Sequence, residues 1–240
     1  MSNLTFDKIL SLFGQNSISL ALQEPLCYLT DEQRNELVAN CHTESYSRGT
    51  SIYSEGDDAP ECYMIISGKV KIFKEGIAGR EQIVKMGKAH DVVGYRAVFA
   101  GEPHSASAAT LEDTILLALS RTYMLKITHD NSRVAEFVIR SLARELSFSR
   151  GRSVSLSQKQ IRGRLAESLL VLKDKYGYVG GTTTINVRMT REDLASLSNM
   201  TTSNAIRTLA NFAAERILDV DGREITICDE AKLEKISRLG

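Results

Sequence analysis

The sequence predicts an α+β chain in three parts: an all-β N-terminal domain, one long helix, and a helical C-terminal domain with a small hairpin. Three observations predict it. Between residues 46 and 119 short alternating apolar runs are punctuated by glycine, at Gly56, Gly68, Gly76, Gly79, Gly87, Gly94 and Gly101. Short strands with glycine turns at such spacing mark a β-sandwich or barrel. From about residue 122 to 155 the apolar period lengthens to that of a helix. Residues 190–218 then read as two helices joined by a tight turn.

The 240 residues suit one or two domains. A hydrophobic fraction of 42% with 25% charged residues excludes a wholly disordered chain. The longest apolar runs, such as 115–119, fall far short of the ~20 residues of a membrane span. The polar start, with Asp7 before any apolar stretch, does not match a signal peptide, so a cytoplasmic location is expected. Cys27, Cys41, Cys62 and Cys228 form no CxxC pair and no zinc spacing, and are expected as free thiols. The net charge is zero, but residues 1–150 carry −3 and residues 151–240 carry +3. A mildly basic C-terminal part is compatible with nucleic-acid binding.

Residues 1–24 read as a polar N-terminal extension, with Phe6, Ile9, Leu10 and Phe13 as a short apolar face. Pro25 and Thr30-Asp31 introduce a helix that buries Leu29, Leu37 and Val38. With Asp31 as cap, the residue three later is Arg34, so no capping box is expected. Cys41-His42 reads as a half-buried thiol beside a surface imidazole. Strands are expected at 51–53, 63–67, 69–73, 82–86 and 108–119, with 74–80 as a solvated hairpin loop. In the long helix Ala135, Ile139, Leu142 and Leu146 recur at spacings of four, three and four, and Leu156 keeps the register past Ser149 and Ser153. Val134, Phe137 and Val138 add a second stripe. About 25 residues span nearly 40 Å at 1.5 Å each. One stripe is therefore expected on the β-domain and the other on a partner helix. The Ser- and Gly-rich residues 151–158 suit a hinge. A further helix buries Ile161, Leu165, Leu169 and Leu172, and 182–187 alternates like a strand.

In the paired helices Thr190 is a good N-cap, and Glu192-Asp193 place negative charge in the first turn. Leu194, Ala195 and Leu197 face inward, and small Ala195 lets the helices cross closely. Residues 198–201 make the break. Thr201 or Thr202 caps the second helix, whose expected inner positions are Ala205, Ile206, Leu209, Phe212 and Ala213. Asp221-Gly222 is a type I′ turn signal inside a hairpin that would form a wing.

The whole order resembles the CRP/FNR family of bacterial transcription regulators. IYSEGD at 52–57 followed by YMIISGKVKIF at 63–73 looks like the opening of that family's cyclic-nucleotide-binding roll. VVGYRAVF at 92–99 with HSASA at 104–108 looks like its phosphate-binding cassette, and MTREDLASLSNMTTSNAIRTL at 189–209 like its helix-turn-helix. The resemblance covers about residues 26–227. It implies a double-stranded β-helix (jelly roll) at 25–130, a dimerisation helix and hinge at 131–156, and a winged helix-turn-helix DNA-binding domain at 157–240.

The resemblance implies base reading by Thr202, Ser203 and Arg207, with Asn204 as a further amide contact or a cap. A guanidinium can donate two hydrogen bonds to guanine O6 and N7, which suits Arg207. Thr190, Arg191 and Thr201 are candidates for phosphate contacts, which position without specifying. Ala135, Ile139, Leu142 and Leu146 are the expected dimer interface.

For the effector pocket the resemblance implies Gly94, Tyr95, Arg96, His104, Ser105, Ser149 and Arg150. Where cyclic-nucleotide binders carry a glutamate for the ribose and an arginine for the phosphate, this chain has Tyr95 and His104. A neutral imidazole does not replace a forked permanent charge. Arg96, one residue along an extended chain, would point to the opposite face. Cyclic AMP held in the usual way is therefore not expected; a modified anionic ligand would pair with Arg96, His104 and Arg150. The scattered cysteines disfavour an iron–sulfur cluster. Haem stays open, with His42, His90, His104 or His129 as axial ligand, as does a regulator that needs no effector.

Phosphate-loop, zinc-protease, serine-hydrolase and dinucleotide fingerprints are absent from the sequence, so no enzyme is expected. A metal-binding jelly-roll enzyme would need several converging His and Glu, and the β-region from 46 to 119 supplies only His90 and His104. The expected partners are a palindromic double-stranded DNA, a second copy of the chain and RNA polymerase, and no membrane.

Overall fold

The computed structural model describes residues 5–12, 25–76 and 79–240. The expectations for Phe13, for the side chain of Leu10 and for residues 77–78 of the hairpin loop lie outside the described residues. The chain divides into two compact units, residues 1–74 with 85–147, and 75–84 with 148–240.

The first unit opens with helix α1 (Phe6–Leu12) and helix α2 (Asp31–Ala39). Eight strands follow: β1 (Cys41–Tyr46), β2 (Ser51–Tyr53), β3 (Glu61–Ser67), β4 (Lys69–Glu75), β5 (Glu81–Lys88), β6 (Val92–Val93), β7 (Ser107–Thr110) and β8 (Thr114–Ser120). They form two four-stranded sheets, in the orders β1-β8-β3-β6 and β2-β7-β4-β5. Apart from β4 and β5, neighbouring strands are non-consecutive, the signature of a jelly roll rather than a meander. Central β3 and β8 pair with Cys62 opposite Leu119 and Met64 opposite Leu117, and all four side chains are buried.

Several local expectations change. The expected strand 108–119 is two strands, turned at 111–113. Polar β1 pairs along the edge of its sheet, where outward residues need not be apolar. Cys41 is half-buried and His42 exposed on it. The cap of α2 is Thr30 rather than Asp31: its side chain accepts from Gln33 N, Gln33 reaches back, and a full capping box forms. The polar lead-in contributes to the core, because Ile9 is completely buried and clusters with Leu26, Leu37 and Met64.

Helix α4 (Arg121–Asp130) is capped by Ser120. Asn131 separates it from the long helix α5 (Ser132–Gln158). The Asn131 side chain accepts from Val134 N at 3.3 Å and donates to Tyr28 O and Gln33 Oε1, both at 2.9 Å. One amide thus starts α5 and ties that start to the segment around α2. Val134 and Val138 are buried, and Val134 joins the roll's core. The expected hinge at 151–158 is helical to its end, and the break falls at Lys159-Gln160. Serine in a helix costs only tenths of a kcal/mol and a single glycine about 1, less than the packing of buried Ser155 and half-buried Leu156 supplies.

The second unit holds α6 (Ile161–Tyr176), α7 (Arg191–Leu197), α8 (Thr202–Ala214), β9 (Leu218–Asp221), β10 (Glu224–Ile227) and α9 (Glu230–Leu239). Leu165, Leu169, Leu172, Leu194, Phe212, Ile217 and Leu233 are among its most buried side chains. The expected strand at 182–187 reduces to isolated bridges, Tyr178 with Ile185 and Thr184 with Thr226, where the chain runs beside β10. In the wing Asp221 pairs with Glu224, so the central turn residues are Gly222 and Arg223. Only Gly222 has positive φ, which fits a type II′ turn instead of the expected type I′.

Gly68, between β3 and β4, has φ +97°, and a Cβ there would sit 2.8 Å from Asp113 O. Left-handed strain of ~1–2 kcal/mol and overpacking of ~1–3 kcal/mol predict that Gly68→Ala destabilises the chain by roughly 2–4 kcal/mol in urea unfolding. A loss below about 1 kcal/mol would mean this turn relaxes freely.

Candidate functional site

The helix pair α7–α8 is built from its caps inward. Thr190 Oγ1 accepts from Asp193 N at 3.0 Å and Thr190 N donates to Asp193 Oδ2 at 3.2 Å, closing a capping box, and the Thr190 hydroxyl also donates to Asp193 Oδ2 at 2.7 Å. That hydroxyl proton is spent on the cap, which weakens Thr190 as a phosphate donor. Thr201 caps α8 by accepting from Asn204 N at 3.3 Å, leaving its own proton to give. Between the helices Asn199 takes φ +49° and Met200 N reaches Ala195 O at 3.0 Å. Ala195 is 3% exposed, consistent with a close crossing.

Arg164 of α6 was not singled out by sequence. Its guanidinium donates to Ser198 O, Asn199 O and Lys159 O at 3.1–3.2 Å. Two charge-assisted bonds on the successive carbonyls of Ser198 and Asn199 hold the turn ahead of α8, and the third ties the start of α6 to Lys159 O. Nothing in a lone arginine on a helix announces this.

Along α8, Ala205, Thr208, Leu209 and Phe212 are buried, and Ser203 and Arg207 exposed. Thr202 and Asn204 are half-exposed. Ile206, expected inside, is 50% exposed: one residue past Ala205 is a 100° rotation, which brings it round beside Ser203 and Arg207. Asn204 Oδ1 accepts from Arg207 Nη2 at 2.7 Å, so the amide orients the guanidinium. Arg191, half-exposed, keeps its Nη1 buried without a hydrogen-bond partner among the described residues.

In the first unit Gly94 has φ +78° and leads into the short helix α3 (Tyr95–Ala100). A Cβ at Gly94 would lie 3.2 Å from His104 Cε1 and 3.5 Å from the Tyr53 ring. The His104 ring is buried and stacked on Tyr53, with centroids 3.7 Å apart and planes at 11°. Tyr53 in turn stacks on Tyr63. Tyr95 is buried and its hydroxyl donates to Glu145 Oε2 of α5 at 2.9 Å. The same carboxylate receives Lys85 Nζ at 2.6 Å, and that ammonium lies 5.1 Å over the Tyr95 ring. Burial, and then the Glu145 charge, raise the Tyr95 phenol above its ordinary range.

Arg96 points outward, but not by strand alternation: residues 95–100 are helical, and its side chain pairs with Glu102 at 3.3 Å. Ser105 is exposed. Ser149 and Arg150 are exposed residues of α5 in the second unit. Of the other histidines, His42 sits 2.9 Å from Glu44 and 3.6 Å from Glu61, and His129 pairs with Asp130 at 2.8 Å. On α5, Ile139 is 67% and Leu146 52% exposed, whereas Ala135 is half-buried and Leu142 packs partly against the roll's core.

Burial lowers the His104 pKa below 6.5, with Asp57 opposing and Arg96 reinforcing the shift. The folded state then binds fewer protons than the unfolded one below that pKa. Stability from a neutral His104 is present above about pH 6.5 and is lost as pH falls toward the depressed folded value. His104→Phe keeps the stacked ring and removes the proton. Urea midpoints at about pH 7.5 and 5.5 should fall less on acidification in the variant than in the parent; equal falls would contradict a neutral buried imidazole.

Comparison with known proteins places both halves. Residues 43–131 match the cyclic nucleotide-binding domain and residues 163–236 the Crp-like helix-turn-helix domain. The chain is 28% identical over 194 residues to the CRP-like cAMP-activated global transcriptional regulator of Mycobacterium tuberculosis strain H37Rv, covering 80% of this chain and 87% of that one. It is 26% identical over 191 residues to the fumarate and nitrate reduction regulatory protein of Vibrio cholerae, covering 79% and 76%. The fold is similar to that of FixK2 from Bradyrhizobium japonicum, with a TM-score of 0.74 and 24% identity over 82% of this chain and 96% of that one. With a nucleotide-binding-like roll and a Crp-like helix-turn-helix in one chain, the protein belongs to the CRP/FNR family of DNA-binding transcription regulators.

Proposed function

We propose that the chain acts as a homodimer that reads a palindromic double-stranded DNA site in the cytoplasm, works with RNA polymerase, and catalyses no reaction. The observation that carries the DNA reading is the outward face of α8. There Ser203, Ile206 and Arg207 stand together, and Asn204 holds the guanidinium. Arg207 is the residue for a guanine, and Ile206 is placed to touch a thymine methyl. Thr202 adds a short hydroxyl. Thr201 is the better phosphate contact, since its hydroxyl proton is free to give, and half-exposed Arg191 adds a positive charge at the start of α7. Two copies related by a two-fold axis would read half-sites ~34–36 Å apart.

Cyclic AMP does not fit the roll in the usual way. The neutral imidazole of His104 replaces a phosphate-pairing cation, and its ring is stacked on Tyr53 against Gly94. Tyr95 replaces a ribose-binding carboxylate and is bonded to Glu145. Arg96 is paired with Glu102. These contacts support a regulator whose cassette communicates with α5 through Tyr95 and Glu145 without a nucleotide between them.

Selection from a randomised duplex pool, at fixed salt and with or without cyclic AMP, tests this reading. A palindrome should be enriched without the nucleotide; enrichment only with it would overturn the account of His104 and Tyr95, and none under either condition would argue against the DNA reading. Arg207→Ala should cost about 1–3 kcal/mol and relax one base pair per half-site. A loss that is equal on all sequences would make Arg207 a phosphate contact instead.

For the dimer, Ile139→Glu is a cleaner probe than Leu142→Glu, because Leu142 also packs on the roll. Sedimentation should show Ile139→Glu shifted toward monomer at unchanged helix content. An intact dimer would sink the assignment of this stripe.

A further inference from the structure

The second unit contains a cavity that the DNA-reading face does not use. It lies wholly within that unit, between the C-terminal part of α5, α6 and the end of α7. Its volume of about 310 Å³ is at the lower end of small-molecule pockets. Phe148, Leu156, Val171 and Leu197 supply apolar wall, and Arg152 and Ser198 supply polar groups.

Those two polar groups are incompletely used. Ser198 is 2% exposed, yet its Oγ has no hydrogen-bond partner among the described residues. A buried hydroxyl left unpaired costs ~1–3 kcal/mol. Arg152 gives one bond, from Nη2 to Leu197 O at 2.8 Å, and lies 6.0 Å over the Phe148 ring. It is in no ion pair among the described residues, and a guanidinium carries five N–H donors. The other charges of the lining are committed. Arg164 is spent on three carbonyls. Glu167 accepts from Ser155 Oγ and from Lys159 Nζ at 2.9 Å. Gly151 leaves room at the wall: a Cβ there would meet nothing within 4 Å. Packing therefore does not require glycine at this point of a helix, where it costs about 1 kcal/mol.

We propose that this cavity binds a small amphipathic carboxylate, its anion held by Arg152 and the Ser198 hydroxyl and its apolar body against Phe148, Leu156, Val171 and Leu197. Bound there, the ligand touches the two residues that end α7. Their carbonyls are the ones Arg152 and Arg164 hold ahead of α8. The ligand would thus act on the turn that sets the recognition helix. That consequence rests on the DNA reading above; the binding itself does not.

Calorimetric titration of the full chain, without DNA, tests the site with three probes: 4-phenylbutyrate, octanoate and benzoate. At least one should bind saturably with a Kd of roughly 1 mM or tighter. The neutral isostere 4-phenylbutanol should bind roughly tenfold more weakly than 4-phenylbutyrate. Arg152→Gln keeps a donor for Leu197 O but loses the charge, and should weaken carboxylate binding by a similar factor. Gly151→Leu should fill the space and abolish it, while circular dichroism shows an unchanged or higher helix content. Absence of saturable binding by all three carboxylates would overturn the proposal, as would binding that is indifferent to Arg152→Gln or to Gly151→Leu. Because no DNA is present, failure here leaves the palindrome test untouched, and failure of that test leaves this one standing.

Discussion

Helix α5 has two apolar stripes, and one copy of the chain buries only one of them. Val134 and Val138 are buried, Val134 in the roll's core, while Ile139 and Leu146 stay exposed a short way round the same helix. Ile139 and Leu146 lie seven residues apart, the spacing of a coiled-coil seam. Isolated exposed apolar residues are ordinary, but a stripe in register along one helix asks for cover. Asn131 sets where α5 starts, Tyr95 meets it at Glu145, and its last turns wall the cavity beside the helix-turn-helix.

The roll keeps its family's shape while filling the space in a different way. A left-handed glycine, a short helix and a buried serine-neighbour segment are retained at Gly94, α3 and His104. The interior between them is taken up by stacked rings, Tyr63 on Tyr53 on His104. Offset aromatic stacks contribute ~0.5–1.5 kcal/mol beyond the area they bury. A neutral, stacked imidazole stabilises the roll by packing where a cation would have stabilised an anionic ligand.

In the second unit the recognition helix is held from behind. Arg164 ties two carbonyls of the turn, Thr190 and Thr201 cap the two helices, and Ala195 permits their close approach. The outward face is left to short or flat groups around one forked cation. Rigidity behind and sparse chemistry in front suit a reader whose specificity rests on few contacts.

The residues alone determined the order of parts, because each part has a local signature. Alternation with glycine turns marks the roll. A three-and-four period marks α5, and Thr190, Ala195 and Thr201 mark the helix-turn-helix. The replacement of charged groups by Tyr95 and His104 was legible for the same reason: it concerns what a side chain can carry, not where it lies. Tertiary structure decided what depends on partners distant in the chain. The Ser- and Gly-rich 151–158 stays helical because packing outweighs a small propensity cost. Residues 182–187 lose their strand because they pair only by isolated bridges, to Tyr178 and to Thr226 of β10. Ile206 turns outward because the core admits Ala205, Leu209 and Phe212 and has no room a further 100° round. Arg164, Glu145 and the cavity at Arg152 and Ser198 carry no local pattern at all. Their roles arise only when carbonyls and side chains from separate elements are brought within hydrogen-bond reach.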